Sequence, residues 1–133
     1  MNSDRPLLFA ALVLLSCLAP PARAQDAGLT FDSRRRVFWG RDVPKVPAFK
    51  QLDDRIRVFE RGQSFNYYVA VLSQTETALE QQAQDLVRRW RGHPRFFPER
   101  AYVVVCEASR ARVHLVFPAP VRDRLALTPQ WLP

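Results

Sequence analysis

Two short apolar runs on either side of an amphipathic stretch constrain this chain more than any other feature. Asn66-Tyr-Tyr-Val-Ala-Val-Leu-Ser73 is β-branched and aromatic, and Ala101-Tyr-Val-Val-Val-Cys106 is almost continuously apolar. The first pattern favours a strand buried on at least one face, the second a central strand covered on both. Between them Leu79, Ala83, Leu86, Val87 and Trp90 recur at three- and four-residue steps, the stripe of a helix lying on a sheet. Strand, helix and strand in that order predict parallel neighbours joined by a right-handed crossover.

The flanks extend this core. Thr77 and Glu80 have the spacing of a capping box, Glu76 and Glu80 suit the positive end of the helix, and Arg88, Arg89 and Arg91 suit its negative end before Gly92 and Pro94 stop it. After Glu107–Arg110, the stretch Ala111–Phe117 alternates, which predicts a hairpin with Val113, Leu115 and Phe117 inward and Arg112 and His114 outward. Upstream, Phe49, Leu52, Ile56 and Phe59 predict a helix opened by Pro47 and closed by a left-handed Gly62. An edge strand is expected at 35–39, and one short helix around Val121 to Leu127 in the proline-rich tail. The expected fold is an α/β sandwich: a mixed sheet with a βαββ core, a parallel crossover, an antiparallel hairpin, and helices packed on the sheet.

The start of the chain reads as an export signal. Leu7–Leu15 is an apolar run of roughly ten residues, too short to span a bilayer, and Ala22-x-Ala24 offers the small side chains of a cleavage site. Leu14-Leu15-Ser16-Cys17 also fits a lipobox, so lipidation at Cys17 is the alternative maturation. The expected organisation is a signal peptide at 1–24, a flexible lead at 25–44 and a single domain at 45–133, either periplasmic or secreted, or lipid-anchored through Cys17. Cleavage after Ala24 leaves Cys106 without an internal disulfide partner and leaves the mature chain basic. The full chain carries 20 Lys and Arg against 13 Asp and Glu, a formal charge of +7, and Lys45 and Lys50 are its only lysines. Such a balance suits docking of an anionic partner, with simple solubility as the alternative. Nucleic acid is not expected, since export removes the usual target and no recognition motif is present.

The order strand, helix ending in Trp90-x-Gly92, apolar strand, and hairpin returning through Arg110-x-Arg112-Val-His-Leu resembles the TPM domain family, exported modules of bacterial envelopes and the thylakoid lumen. The match spans about residues 45–127. Asp26-Ala27-Gly28-Leu29 echoes the opening Asp-x-x-Gly-Leu segment of the family. The Asp/Asn-Gly before the apolar strand is replaced by Glu99-Arg100, and the later Gly-Tyr-Gly by Phe117-Pro118-Ala119-Pro120. Some relatives are phosphatases or calcium binders and others are accessory envelope proteins. Calcium, the one cofactor the resemblance implies, would need the acidic and glycine-rich loops that this chain lacks.

Several constellations invite chemistry. Cys106 and Arg112 have the Cys-x5-Arg spacing of cysteine phosphatases, in which loop amides and an arginine clamp hold phosphate; here the loop has no glycine and leads into a strand, so Cys106 is read as a small buried side chain. His93 and His114 could form an acid/base pair, but a helix stop and an outward strand position do not bring them together. Asp53, Asp54 and Glu107 could supply oxygen ligands, yet adjacent helical residues point about 100° apart, and a solvated helix face is expected. No catalytic or metal-binding set is therefore assigned.

The basic residues Arg34 to Arg36, Arg88, Arg89, Arg91, Arg95 and Arg100 flank Trp39, Trp90, Phe96 and Phe97. The expected partner-binding surface is Arg88, Arg89, Arg91, Arg95, Phe96 and Phe97, where charge and aromatic rings meet at a helix end. The functional expectation is a non-catalytic binding or accessory module of the envelope. It would dock an envelope protein or an anionic polymer or lipid surface, with no transmembrane helix in the mature chain. A phosphatase-like hydrolase and a basic secreted nuclease are the alternatives.

Overall fold

The computed structural model describes residues 29–127. The export segment, Cys17, Asp26-Ala27-Gly28 and the last six residues lie outside that range. Both apolar runs form strands, β2 at Asn66–Leu72 and β3 at Ala101–Glu107, paired in parallel from Asn66↔Ala101 to Leu72↔Glu107. Their crossover helix α2 is Leu79–Trp90. The short strand β1, Val37–Trp39, lies parallel to the other side of β2, and β4, Arg112–Val116, runs antiparallel beside β3. The four-stranded sheet has the order β1-β2-β3-β4, so the α/β fold is the expected one. Helix α1, Pro47–Glu60, joins β1 to β2, a 3₁₀ turn at Pro98–Arg100 leads into β3, and helix α3, Ala119–Leu127, follows β4. Gly62 closes α1 at φ +82°, as expected for a left-handed C-terminal position.

Strand alternation sorts the sheet into two unequal faces. Phe38, Tyr68, Ala70, Leu72, Val103, Val105 and Val116 point to one side, where Leu79, Ala83, Leu86, Val87 and Trp90 of α2 cover them. Leu29, Phe31 and Phe96 complete that core. Phe31 is its aromatic hub, with ring centroids of Phe38, Tyr68, Trp90, His93 and Phe96 at 4.9–6.1 Å. The stretch expected as a flexible lead thus supplies two core side chains and a strand from residue 29 onward. That strand is the edge strand expected at 35–39, whereas Leu29 and Phe31 stand in no periodic apolar run, so the sequence pattern did not mark them as core.

On the other face α1 lies over β1 and β2, with Phe49 stacked on Trp39 and Phe59 edge-on to Tyr67, and none of its side chains is fully buried. Both connections step the same way across the sheet yet put α1 and α2 on opposite faces. The two crossovers therefore have opposite hands, and one of them departs from the right-handed preference.

Two local expectations are corrected. Helix α2 begins at Leu79 with Ala78 as its N-cap residue, and no side chain caps it; the Thr77 hydroxyl instead accepts from the Gln82 amide at 2.7 Å. In β4 the faces are reversed. His114 and Val116 stand opposite Val105 and Val103 on the core side, while Val113 and Leu115 are 66% and 38% exposed on the open face. Pairing of Glu107 with Arg112 sets this register, and alternation alone fixes two faces without saying which is inward.

Candidate functional site

The N-terminal ends of the three parallel strands collect most of the basic and aromatic residues singled out above. Ser33–Arg36 enter β1, Phe97–Arg100 enter β3, and Gly92–Phe96 leave the end of α2. A groove of about 450 Å³ runs across this edge between Arg36, Arg95 and Arg100, with Phe97, Tyr68 and Asn66 in its walls. A second cleft of about 480 Å³ continues from Ser33 and Arg95 to Arg34, Arg35 and His93.

Local chemistry fixes the walls. The Arg36 Nε donates to both Glu60 carboxylate oxygens at 2.8 and 2.9 Å, its Nη1 donates to the Ser33 carbonyl, and its guanidinium lies 5.2 Å from the Tyr68 ring centroid. Arg36 is thus a fixed strut. Arg100 lies over the Phe97 ring at 4.6 Å, which holds an otherwise mobile cation against an aromatic face. The Arg95 N–H donates to His93 Nδ1 at 3.1 Å, and His93 packs edge-on to Phe31. Among the described residues, neither Arg95 nor Arg100 has a carboxylate within ion-pair distance. Burial raises the Tyr68 phenol above its ordinary pKa, with Glu60 adding to the rise and Arg36 and Arg100 opposing it. Tyr68 therefore presents a hydroxyl.

The residues expected at the docking surface separate here. Arg95 and exposed Phe97 line the groove. Phe96 is only 4% exposed and belongs to the core, a correction to its expected role: its ring fits between Phe31, Tyr68 and Trp90. Arg88 pairs with Asp85 at 3.3 Å on the helix surface. Arg89 lines a neighbouring cleft of about 420 Å³ with Leu29, Phe31 and His93, and Arg91 is exposed at the C-cap of α2. Arg36 and Arg100 join the groove although the helix-end reading centred on 88–97. For Arg100 the available signal was its position directly before a strand expected to run parallel to 66–73; Arg36 fell within the expected edge strand at 35–39, to which no neighbour was assigned.

The other constellations do not assemble. Cys106 and Glu107 occupy opposite faces of β3, and Arg112 reaches the Glu107 carboxylate at 3.4 Å. The arginine is therefore turned away from the thiol, which burial pushes above its ordinary pKa. His93 lies at the N-terminal edge of the sheet, whereas His114 faces Val105 within β4. Asp53 is not part of a merely solvated helix face. It accepts the N–H groups of Arg36 and Val37 at 2.7 and 3.2 Å and pairs with Arg57, tying α1 to β1. Burial would raise its pKa, but the bonds from Arg36, Arg57 and Val37 outweigh that and hold the carboxyl low. Among the described residues no group of three or more histidine, cysteine or acidic side chains converges as a metal site. No family model, curated protein or solved structure matches the chain.

Proposed function

We propose that this protein is an exported TPM-like binding or accessory module of the bacterial envelope, and that its basic edge docks an anionic polymer. The observation behind this reading is the open groove in which Arg95 and Arg100 stand beside Phe97 and Tyr68 with no acidic partner among the described residues. Two guanidiniums above an aromatic wall suit repeated carboxylates or sulfates along a flexible chain, because each contact is shallow and several add up. Open α/β sheets usually hold small ligands beyond the carboxyl ends of their strands, and this groove lies at the opposite end. A surface role for an extended partner fits that placement.

The test is an amide-resolved titration of the purified chain with dextran sulfate. Shifts are expected to cluster at 33–36 and 93–100, and binding should weaken as salt screens the charges. Arg95→Ala and Arg100→Ala should each lower affinity by up to about fivefold, and Arg88→Ala by less because Asp85 already occupies it. Shifts scattered over all exposed arginines would reduce the reading to nonspecific charge attraction.

A further inference from the structure

The second face of the sheet carries a feature that the basic edge does not use. Helix α1 covers β1 and β2 only, leaving a trough of about 370 Å³ between its flank and β3. Leu52, Ile56 and Phe59 form one wall, and Val69, Tyr102 and Val104 the floor. Leu52 is 40% and Phe59 58% exposed, although both belong to the helix's apolar stripe. The Tyr67 and Tyr102 rings stack at 5.3 Å and 8°, giving the floor a rigid aromatic end. The volume lies within the range of small-molecule sites.

Shape and chemistry narrow the ligand. Leu52 to Phe59 spans about 10 Å of helix, so the trough is elongated along α1. Apart from its three tyrosines and Arg55 its lining is wholly aliphatic or aromatic hydrocarbon, so a sugar or nucleotide would lose most of its water contacts without replacement. An alkyl chain would lose nothing and would shield the exposed apolar wall. The one cation on the lining is Arg55, which has no acidic partner among the described residues, whereas neighbouring Arg57 is held by Asp53. A second copy of this basic chain would bring a second Arg55 to the same lip, an unfavourable pairing of like charges.

We propose that the trough binds a single-chain anionic amphiphile, with its alkyl chain along α1 and its carboxylate at Arg55. The test uses the purified chain with sodium decanoate below its micelle concentration and with 1-decanol as the uncharged control. Saturable one-to-one binding is expected, with amide shifts at 52–59 and 102–104. Arg55→Gln should weaken decanoate about fivefold while leaving decanol unchanged. Leu52→Glu, at an exposed position, should abolish decanoate binding without altering the circular dichroism spectrum. Arg95→Ala should have no effect, which separates this site from the basic edge. Three results would each overturn the proposal: no saturable shift, decanoate affinity indifferent to Arg55→Gln, or a dimer at the trough that excludes decanoate.

Discussion

Glu107 shows how one side chain can fasten two loops. Its Oε2 accepts from the Thr75 N–H at 2.8 Å and from the Thr75 hydroxyl, while Oε1 faces Arg112 at 3.4 Å and Arg110 at 3.9 Å. The β2–α2 loop and the β3–β4 turn are thereby joined at the carboxyl end of the sheet. The Thr75 hydroxyl holds the Glu107 carboxyl below its ordinary pKa; burial opposes this, and the Thr75 N–H and the two arginines reinforce it. A carboxyl whose pKa is lower folded than unfolded stabilises the protein at neutral pH, and that contribution fades as pH falls through the acidic range. Glu107→Gln should therefore lower Tm at pH 7 and flatten the acid limb of a Tm-against-pH curve; an unchanged limb would remove Glu107 from the account. In the same turn Ala111 has φ 51°, the left-handed region that an L side chain rarely adopts. Ala111→Gly should relieve that strain and stabilise by about 0.5–1 kcal/mol in urea unfolding, after allowing for the greater freedom of an unfolded glycine.

At the level of elements, α2 is fixed by its stripe and by one polar anchor. The Trp90 Nε1–H donates to the Leu29 carbonyl at 2.7 Å, joining the helix end to the segment before β1. Trp90→Phe keeps an aromatic ring but leaves that buried carbonyl without its donor, so a loss of about 1–3 kcal/mol is expected in chemical denaturation. A change well below that range would mean that water replaces the bond. The stripe was legible in the sequence because five apolar side chains at helical spacing admit few other readings. The Leu29 anchor was not, since its partner lies 61 residues away. The reversal of β4 has a similar cause: an alternating strand takes its inward face from its neighbour's register, here set beside Glu107 and Arg112.

For the whole molecule, the asymmetry of the two faces decides where substitutions hurt. Val105 is fully buried under α2, while Val113 on the opposite side is 66% exposed. Val113→Thr should fall within about 0.5 kcal/mol of wild type. Val105→Thr should cost about 1–3 kcal/mol, because it places a hydroxyl in the packed core. Equal effects at the two sites would contradict a sheet covered tightly on one side and half open on the other. The same asymmetry separates the two proposed sites, a charged groove at the strand entrances and an apolar trough beside α1. The groove was partly legible as a run of arginines and aromatics, but which of these are free could not be read from composition. Phe96 and Phe97 are adjacent in the chain, and only the chain's turn after α2 sends one into the core and leaves the other outside.

The sequence by itself determined the strands, the helices between them and the mixed sheet, because burial periodicity and β-branched runs act over a few residues. Tertiary structure alone decided the hand of each crossover, the inward face of β4, the membership of Leu29 and Phe31 in the core, and which arginines keep a free charge. Those outcomes depend on which distant groups come within a few ångströms, and no local pattern encodes that distance.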